Sequence, residues 1–563
     1  MIKKILSLAF LAATFAGCDS APSNQPDAAK APAKNLTLLT NAVIYTSNDE
    51  QPTATALAIQ SEKFVGVGST AELLQQFPQA DQVDMQGRTV IPGLIDAHVH
   101  LLSLGQALSR VDLVGSTDKA DILQRLQAFA ATLPEGQWLL GRGWDQNDWP
   151  VKELPTAADL DAAFPDRPIW LTRIDGHAAW ANSAAMAYAD QDLNGDWQPD
   201  GGEIVRDASG QASGVFIDNA ETLIASKIPA ESVAQQRAAL NRAMQKTASV
   251  GLTSVHNAGT SKQVWDILEP MHAAGELAVR YYAMADGSNE MLDYLCAQGA
   301  QIDPSAMLSA RAVKLYSDGA LGSRGAALLE DYSDRPGQRG LLIEPPATLK
   351  AYATRAAECG LQINIHAIGD RGNRVTLDAL AAASNADNPG RHRVEHAQVI
   401  SAEDFARFNE LDLIASVQPT HATSDMYWAE QRVGAERIKG AYAWQTFNDL
   451  GVPLALGSDF PVEKADPLLG FYAAVSRQDT KGWPEGGWYP TQTLTRQQAL
   501  HGFTLGAAYA AFEEDKIGSI EAGKYADFVV LEKDIMQIPA AQIPGTKILQ
   551  TWLNGAPIYS AKD

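Results

Sequence analysis

Cysteine is almost missing from this chain: there are three in 563 residues, Cys18, Cys296 and Cys359. That excludes a small disulfide scaffold and any cysteine-rich metal knuckle. Cationic charge is also in short supply. Lys and Arg number 44 against 67 Asp and Glu, a formal net charge of −23. Such a surface repels phosphate backbones, so no nucleic-acid partner is expected. Beyond the first residues, no apolar run approaches the roughly 20 residues that span a bilayer as a helix. No Gly-x-Ser-x-Gly elbow is present, which sets aside a serine nucleophile of that type. No repeat at a fixed period points to a helical array or scaffold.

What is present is ample core material, 46 % hydrophobic against 20 % charged residues, enough for one large domain plus a smaller one. The start of the chain reads as a targeting segment. Lys3 and Lys4 precede a short apolar stretch, Ile5 to Ala16, that ends in Phe15-Ala16-Gly17-Cys18. Residues 1–18 are expected to be a lipoprotein signal peptide, with an ordinary cleaved signal and an incidental Cys18 as the alternative. Residues 19–34, rich in Ala, Pro, Ser and Asn, read as a flexible tether. The protein is therefore expected at a bacterial cell envelope, exported, lipid-anchored at Cys18 and facing the periplasm. In that oxidising space Cys296 and Cys359 either pair or remain buried thiols.

Short β-type runs occur near both ends: residues 37–45, 56–60 and 63–68, then 527–531 and 548–555. They predict one small β-sandwich-like domain assembled from residues 35–88 and 513–563. Between them, across 89–512, apolar strand-like runs alternate with helical segments. Pro168–Thr172, Leu252–His256, Ala312–Tyr316, Leu361–His366, Arg393–His396, Ile414–Val417 and Val452–Gly457 are such runs. Repeated β-then-α units of this length predict an α/β fold with a (β/α)8 TIM-like barrel inserted into the β domain. A doubly wound open sheet is the runner-up, disfavoured because no Gly-x-Gly-x-x-Gly turn follows the first strand.

The chemistry is concentrated at strand ends. In Ile91-Pro92-Gly93-Leu94-Ile95-Asp96-Ala97-His98-Val99-His100 the two histidines lie two residues apart, so a strand points them to one side. His366 and His396 each end a strand-like run, and Asp459 follows another. Barrels place chemistry at the C-terminal ends of their strands. Four histidines and one aspartate there make a site for one or two divalent ions.

The order His-x-His, Lys, His, His, Asp resembles the metal-dependent amidohydrolase superfamily. Further stretches are similar to the branch that includes N-substituted formamide deformylase: Gly141-Arg142-Gly143-Trp144-Asp145, Arg173 to Asn182, Gly251 to His256, Lys314 to Arg324 and Gly518 to Asp527. The resemblance implies that His98 and His100 hold a more buried metal and that His366 and His396 hold a second. It implies that Lys314 becomes carboxylated and bridges the two, and that Asp459 is both ligand and general base. It also implies an amide-cleaving activity with zinc as the expected ion.

A divalent ion would lower the pKa of water from 15.7 to about 7 and polarise the scissile carbonyl. Asp459 is suited to take the water's proton and pass it to the leaving nitrogen. His177 either contacts the carbonyl oxygen or fixes its loop, and His256 and His421 face the same choice. Asp318 and Arg324 either contact substrate or form internal ion pairs, and Trp144 either lines an apolar pocket or packs. The expected substrate is a small molecule with an amide or N-acyl or N-formyl amine bond. A cyclic amide or carbamate is the alternative within hydrolases, and a non-catalytic metal- or solute-binding lipoprotein is the alternative outside them. Membrane contact would be through the lipid alone, and a homo-oligomer is compatible with all of these readings.

Overall fold

A computed structural model describes residues 36–562 apart from 135, 147–148, 174–177, 200–201, 288–289 and 384–389. The segments expected as leader and tether, and His177, lie outside the described residues.

The centre is an eight-stranded parallel sheet. Its strands are β1 (Leu94–Val99), β2 (Leu252–Thr260), β3 (Arg280–Asp286), β4 (Leu308–Tyr316), β5 (Gln362–Ala367), β6 (Arg393–His396), β7 (Ile414–Val417) and β8 (Leu454–Leu456), neighbours in that order. The ends of the sheet meet. The Asp459 N–H donates to the His98 carbonyl at 2.8 Å, and the His100 N–H donates to the Phe460 carbonyl at 2.9 Å. Helices follow the strands and bury one face on them. Val233–Ser249, started by the Ser232/Gln235 capping box, leads into β2, and Pro346–Glu358 starts with proline at its first turn. Their apolar faces and the outward side chains of the strands form one continuous core.

Both termini build the second unit. Strand Phe528–Leu531 runs antiparallel to Thr89–Pro92, with Val530 opposite Val90. It belongs to a six-stranded sheet that also holds Val43–Tyr45 and Ile548–Leu553. A four-stranded sheet holds Thr37–Thr40, Ala56–Gln60, Lys63–Gly68 and Asp81–Asp84. Leu39, Ile44, Leu57, Phe64, Val90, Phe528 and Val530 pack together in one buried cluster drawn from both sheets. The barrel and the terminal β domain are thus as the sequence predicts.

One barrel strand is not. Pro168–Thr172 belongs to a separate six-stranded sheet, where Ile169–Arg173 lies between Leu139–Trp144 and Ala178–Ala181. This sheet is inserted between β1 and β2, and the barrel's eighth strand is supplied instead by β3, between β2 and β4. A buried apolar run carries no mark of its partner strand, so periodicity alone could not tell the two sheets apart.

Cys296, in helix Glu290–Gln298 after β3, is bonded to Cys359 at the end of helix Pro346–Glu358 after β4, 63 residues away. Closing such a loop restricts the unfolded chain, typically by about 2–4 kcal/mol. Cys359→Ser, or reduction of the wild type, should lower the midpoint of thermal unfolding. Equal midpoints with and without reductant would show that the bond contributes nothing.

Candidate metal centre

Six residues singled out in the sequence meet at the C-terminal ends of the barrel strands. His98 is fully buried near the end of β1, and His100 follows it with its side chain partly exposed. Lys314 on β4 is buried, with Nζ 3.3 Å from His98 Nε2. The His396 ring lies 4.7 Å from that of His98 and 4.5 Å from that of His366. Asp459 Oδ1 stands 3.2 Å from His100 Nε2 and 3.7 Å from His98 Nε2. One ligand atom each from His98, His396 and Asp459 falls within 4.8 Å of the other two.

The backbone is bent to achieve this. His396 has φ 72° and Asp459 φ 62°, left-handed conformations that L-residues adopt at a cost and that cluster at functional sites. Behind Asp459 the Asp96 carboxylate accepts from the Ser458 N–H at 2.9 Å, the Ser458 hydroxyl at 2.6 Å and the His98 N–H at 3.2 Å. A Cβ on residue 457 would sit 2.6 Å from Asp96 Oδ1, so only Gly457 lets the first and last strands close this tightly. Burial pushes the Asp96 carboxyl up to about 7.

The sequence reading missed the groups that aim the imidazoles. Glu395 Oε2 lies 2.5 Å from His98 Nδ1, and Gln418 Oε1 lies 2.7 Å from His396 Nδ1. Each contact fixes which nitrogen faces the centre, as outer partners of metal-bound histidines do. Glu395→Gln should weaken metal affinity about 10- to 100-fold, read by chelator competition. Unchanged affinity would show that Glu395 does not orient His98.

Burial holds His98, His366 and His396 well below the usual histidine range, helped in each case by neighbouring cationic groups. They are neutral rings with free lone pairs. Burial also lowers the Lys314 pKa, against the pull of Glu395 and Asp459. For Asp459 burial acts upward, but hydrogen bonds from the rings of His100 and His421 hold the carboxyl well below its usual range. Two of these donor atoms, His366 Nε2 and Asp459 Oδ1, are buried without a hydrogen-bond partner of acceptable geometry among the described residues. Neutral imidazoles, a carboxylate and unused buried donor atoms fit a divalent cation.

His421 also reaches this centre. Its Nε2 is 3.4 Å from Asp459 Oδ2 and its Nδ1 3.3 Å from Glu463 Oε1. Burial disfavours its charged form, but the two carboxylates prevail and push its pKa up to about 10. The other candidates lie elsewhere. His256 is fully buried inside the barrel, with Nδ1 3.1 Å from Arg393 Nη1 and its ring against Tyr282. Asp318 is a buried brace that accepts the N–H groups of Ala327, Ile368 and Gly369 at 2.8–2.9 Å. Arg324 is held by Asp334 at 2.7 Å. Trp144 is completely buried in the inserted sheet, its indole N–H donating to the Leu171 carbonyl at 2.8 Å. The contacts seen at these four are those of packing and bracing. The pattern that suggested contact was polarity or aromaticity near a strand end, which buried networks share.

The chain is similar to known proteins over most of its length. The sequence profile of the amidohydrolase family matches residues 81–559. The protein LONG AFTER FAR-RED 3 of Arabidopsis thaliana is 35 % identical over 93 % of this chain and 91 % of its own length. The N-substituted formamide deformylase of Arthrobacter pascens is 27 % identical over 93 % of this chain and 98 % of its own. The crystal structure of an uncharacterized metal-dependent hydrolase from Pyrococcus horikoshii OT3 superposes with a TM-score of 0.73 at 30 % identity, covering 90 % of this chain and 99 % of that one. With the barrel, the terminal β domain and the cation-fitting centre in place, this chain belongs to the amidohydrolase family and is a metal-dependent hydrolase.

Proposed function

We propose that the enzyme hydrolyses a non-peptide carbon–nitrogen bond, that of an N-acyl or N-formyl amine, in a small molecule. The observation that carries the reading is Asp459. It is a buried carboxylate at the barrel mouth, with one oxygen facing His98 and His100 and within ligand reach of His98 and His396. The deformylase named among the relatives supports the choice of bond. His98, His100, Lys314, His366, His396 and Asp459 would hold one or two divalent ions, and zinc suits such a donor set. When bound, the ion supplies an acidified water and a Lewis acid for the carbonyl. Asp459 takes the proton of the attacking water and hands it to the leaving nitrogen, so the amine departs neutral. His421, gripped by Glu463 on its far side, fixes the direction in which the Asp459 carboxylate faces.

We assign Lys314 to carboxylation. Its buried amine favours the unprotonated form, the form that adds to carbon dioxide and loses a proton to give a carbamate. We also place the enzyme in a bacterial envelope, anchored at Cys18 and facing the periplasm. The Cys296–Cys359 bond supports an oxidising compartment.

Bound metal per chain, measured alongside turnover of a panel of N-formyl and N-acyl amines, tests the reading. About two equivalents with turnover supports the bridging Lys314, and about one with turnover removes that bridge. No metal after supplementation and no turnover would overturn the reading.

A further inference from the structure

The stretch Lys314-Leu315-Tyr316-Ser317-Asp318 supplies a candidate ligand and a brace, yet its tyrosine has no task so far. Tyr316 is the last residue of β4, two positions after Lys314, so the two side chains leave the strand on the same face. Its ring lies 4.6 Å from Lys314 Nζ and 5.8 Å from the His366 ring, and it pairs in register with His366 across β4 and β5. It is partly exposed, unlike Lys314 beneath it.

The Tyr316 hydroxyl makes no hydrogen bond to any described residue. Four fully or nearly buried tyrosines of the same region do: Tyr281 to Thr260 at 3.0 Å, Tyr282 to Gln362 at 2.9 Å, Tyr332 to the Ala326 carbonyl at 2.8 Å and Tyr442 to Asp425 at 2.7 Å. The space beside it is kept open by backbone. Gly259, at the end of β2 with φ 86°, would carry a Cβ only 3.4 Å from the Tyr316 oxygen. A phenol beside the metal centre, with its hydroxyl uncommitted and one flank left to glycine, suits a ligand atom that arrives with the substrate.

We propose that Tyr316 is a catalytic residue whose hydroxyl donates a hydrogen bond to the carbonyl oxygen of the bound amide. The bond strengthens as negative charge gathers on that oxygen during attack. This rests on the amide reading of the same site. A donor that acts mainly in the transition state changes kcat more than KM, and loss of one such donor lowers kcat about 10²- to 10³-fold. Tyr316→Phe keeps the ring over Lys314 and removes only the donor.

The test compares metal-loaded wild type and Tyr316→Phe on whichever N-acyl or N-formyl amine the wild type turns over, with bound metal and thermal midpoint measured on both. The expected result is a kcat lower by about 10² or more, with KM, metal content and midpoint close to wild type. An unimpaired variant overturns the proposal and leaves the amide reading standing. So does a variant that loses metal or stability together with activity, because the hydroxyl would then be structural. A wild type that turns over no amide overturns the amide reading first and the proposal with it.

Discussion

Asp459→Asn is expected to lower turnover on the order of 10³-fold, with the fold intact and bound metal retained. Asparagine has the shape of aspartate and still offers an oxygen, so the cluster of His98, His396 and residue 459 loses little geometry. It cannot accept a proton, and its amide nitrogen replaces an acceptor on one side. Asp459 Oδ1 faces His98 and His100 and Oδ2 faces His421 at 3.4 Å, so either orientation of the new amide sets an N–H against a ring nitrogen. Turnover and metal content measured on one preparation separate the roles. Wild-type turnover would remove the general-base assignment. Loss of metal in step with activity would make Asp459 a ligand first. Loss of turnover with metal retained is the outcome that the proposed proton path requires.

Much of this centre was legible because metal chemistry uses few residue types and barrels put them at strand ends. His98, His100, His366, His396 and Asp459 each follow or end an apolar run. Glu395 was not legible. A two-residue period places Glu395 and His396 on opposite faces of β6, so reading His396 as inward implies Glu395 is outward. The left-handed φ of 72° at His396 breaks that alternation and lets both serve the centre. Gln418 acts through a hydrogen bond to His396 on the neighbouring strand, and Asp96 through bonds to Ser458 just after β8, relations that spacing within one strand cannot show. The same limit hid β3. Arg-Tyr-Tyr-Ala-Met-Ala-Asp opens on a charge and two phenols, whereas the run at Pro168–Thr172 looks more like a barrel strand and is not one.

The charge that disguises β3 carries the second large prediction. Arg280 is fully buried, with Nε 2.7 Å from Asp527 Oδ2 and Nη2 3.1 Å from Oδ1. It also donates to the Ser305 carbonyl at 2.6 Å and lies 4.7 Å from the Tyr525 ring. Asp527 belongs to the Gly-Lys-Tyr-Ala-Asp stretch that opens the last part of the β domain, and its carbonyl accepts the Gly93 N–H at 2.9 Å just before β1. This one aspartate therefore ties barrel and β domain together. Arg280→Met would leave its carboxylate buried without its cation, a loss of about 3–5 kcal/mol. Arg280 starts β3 and lies about 20 Å along the strand from the catalytic end, so kcat of the folded fraction should not change. Denaturant unfolding of Arg280→Met, Asp527→Asn and the double variant measures the coupling. If the pair is the lock, the double variant recovers much of the loss, because a neutral amide no longer needs the guanidinium. If the two single losses simply add, Arg280 stabilises β3 through packing and the Ser305 contact rather than through its pairing with Asp527.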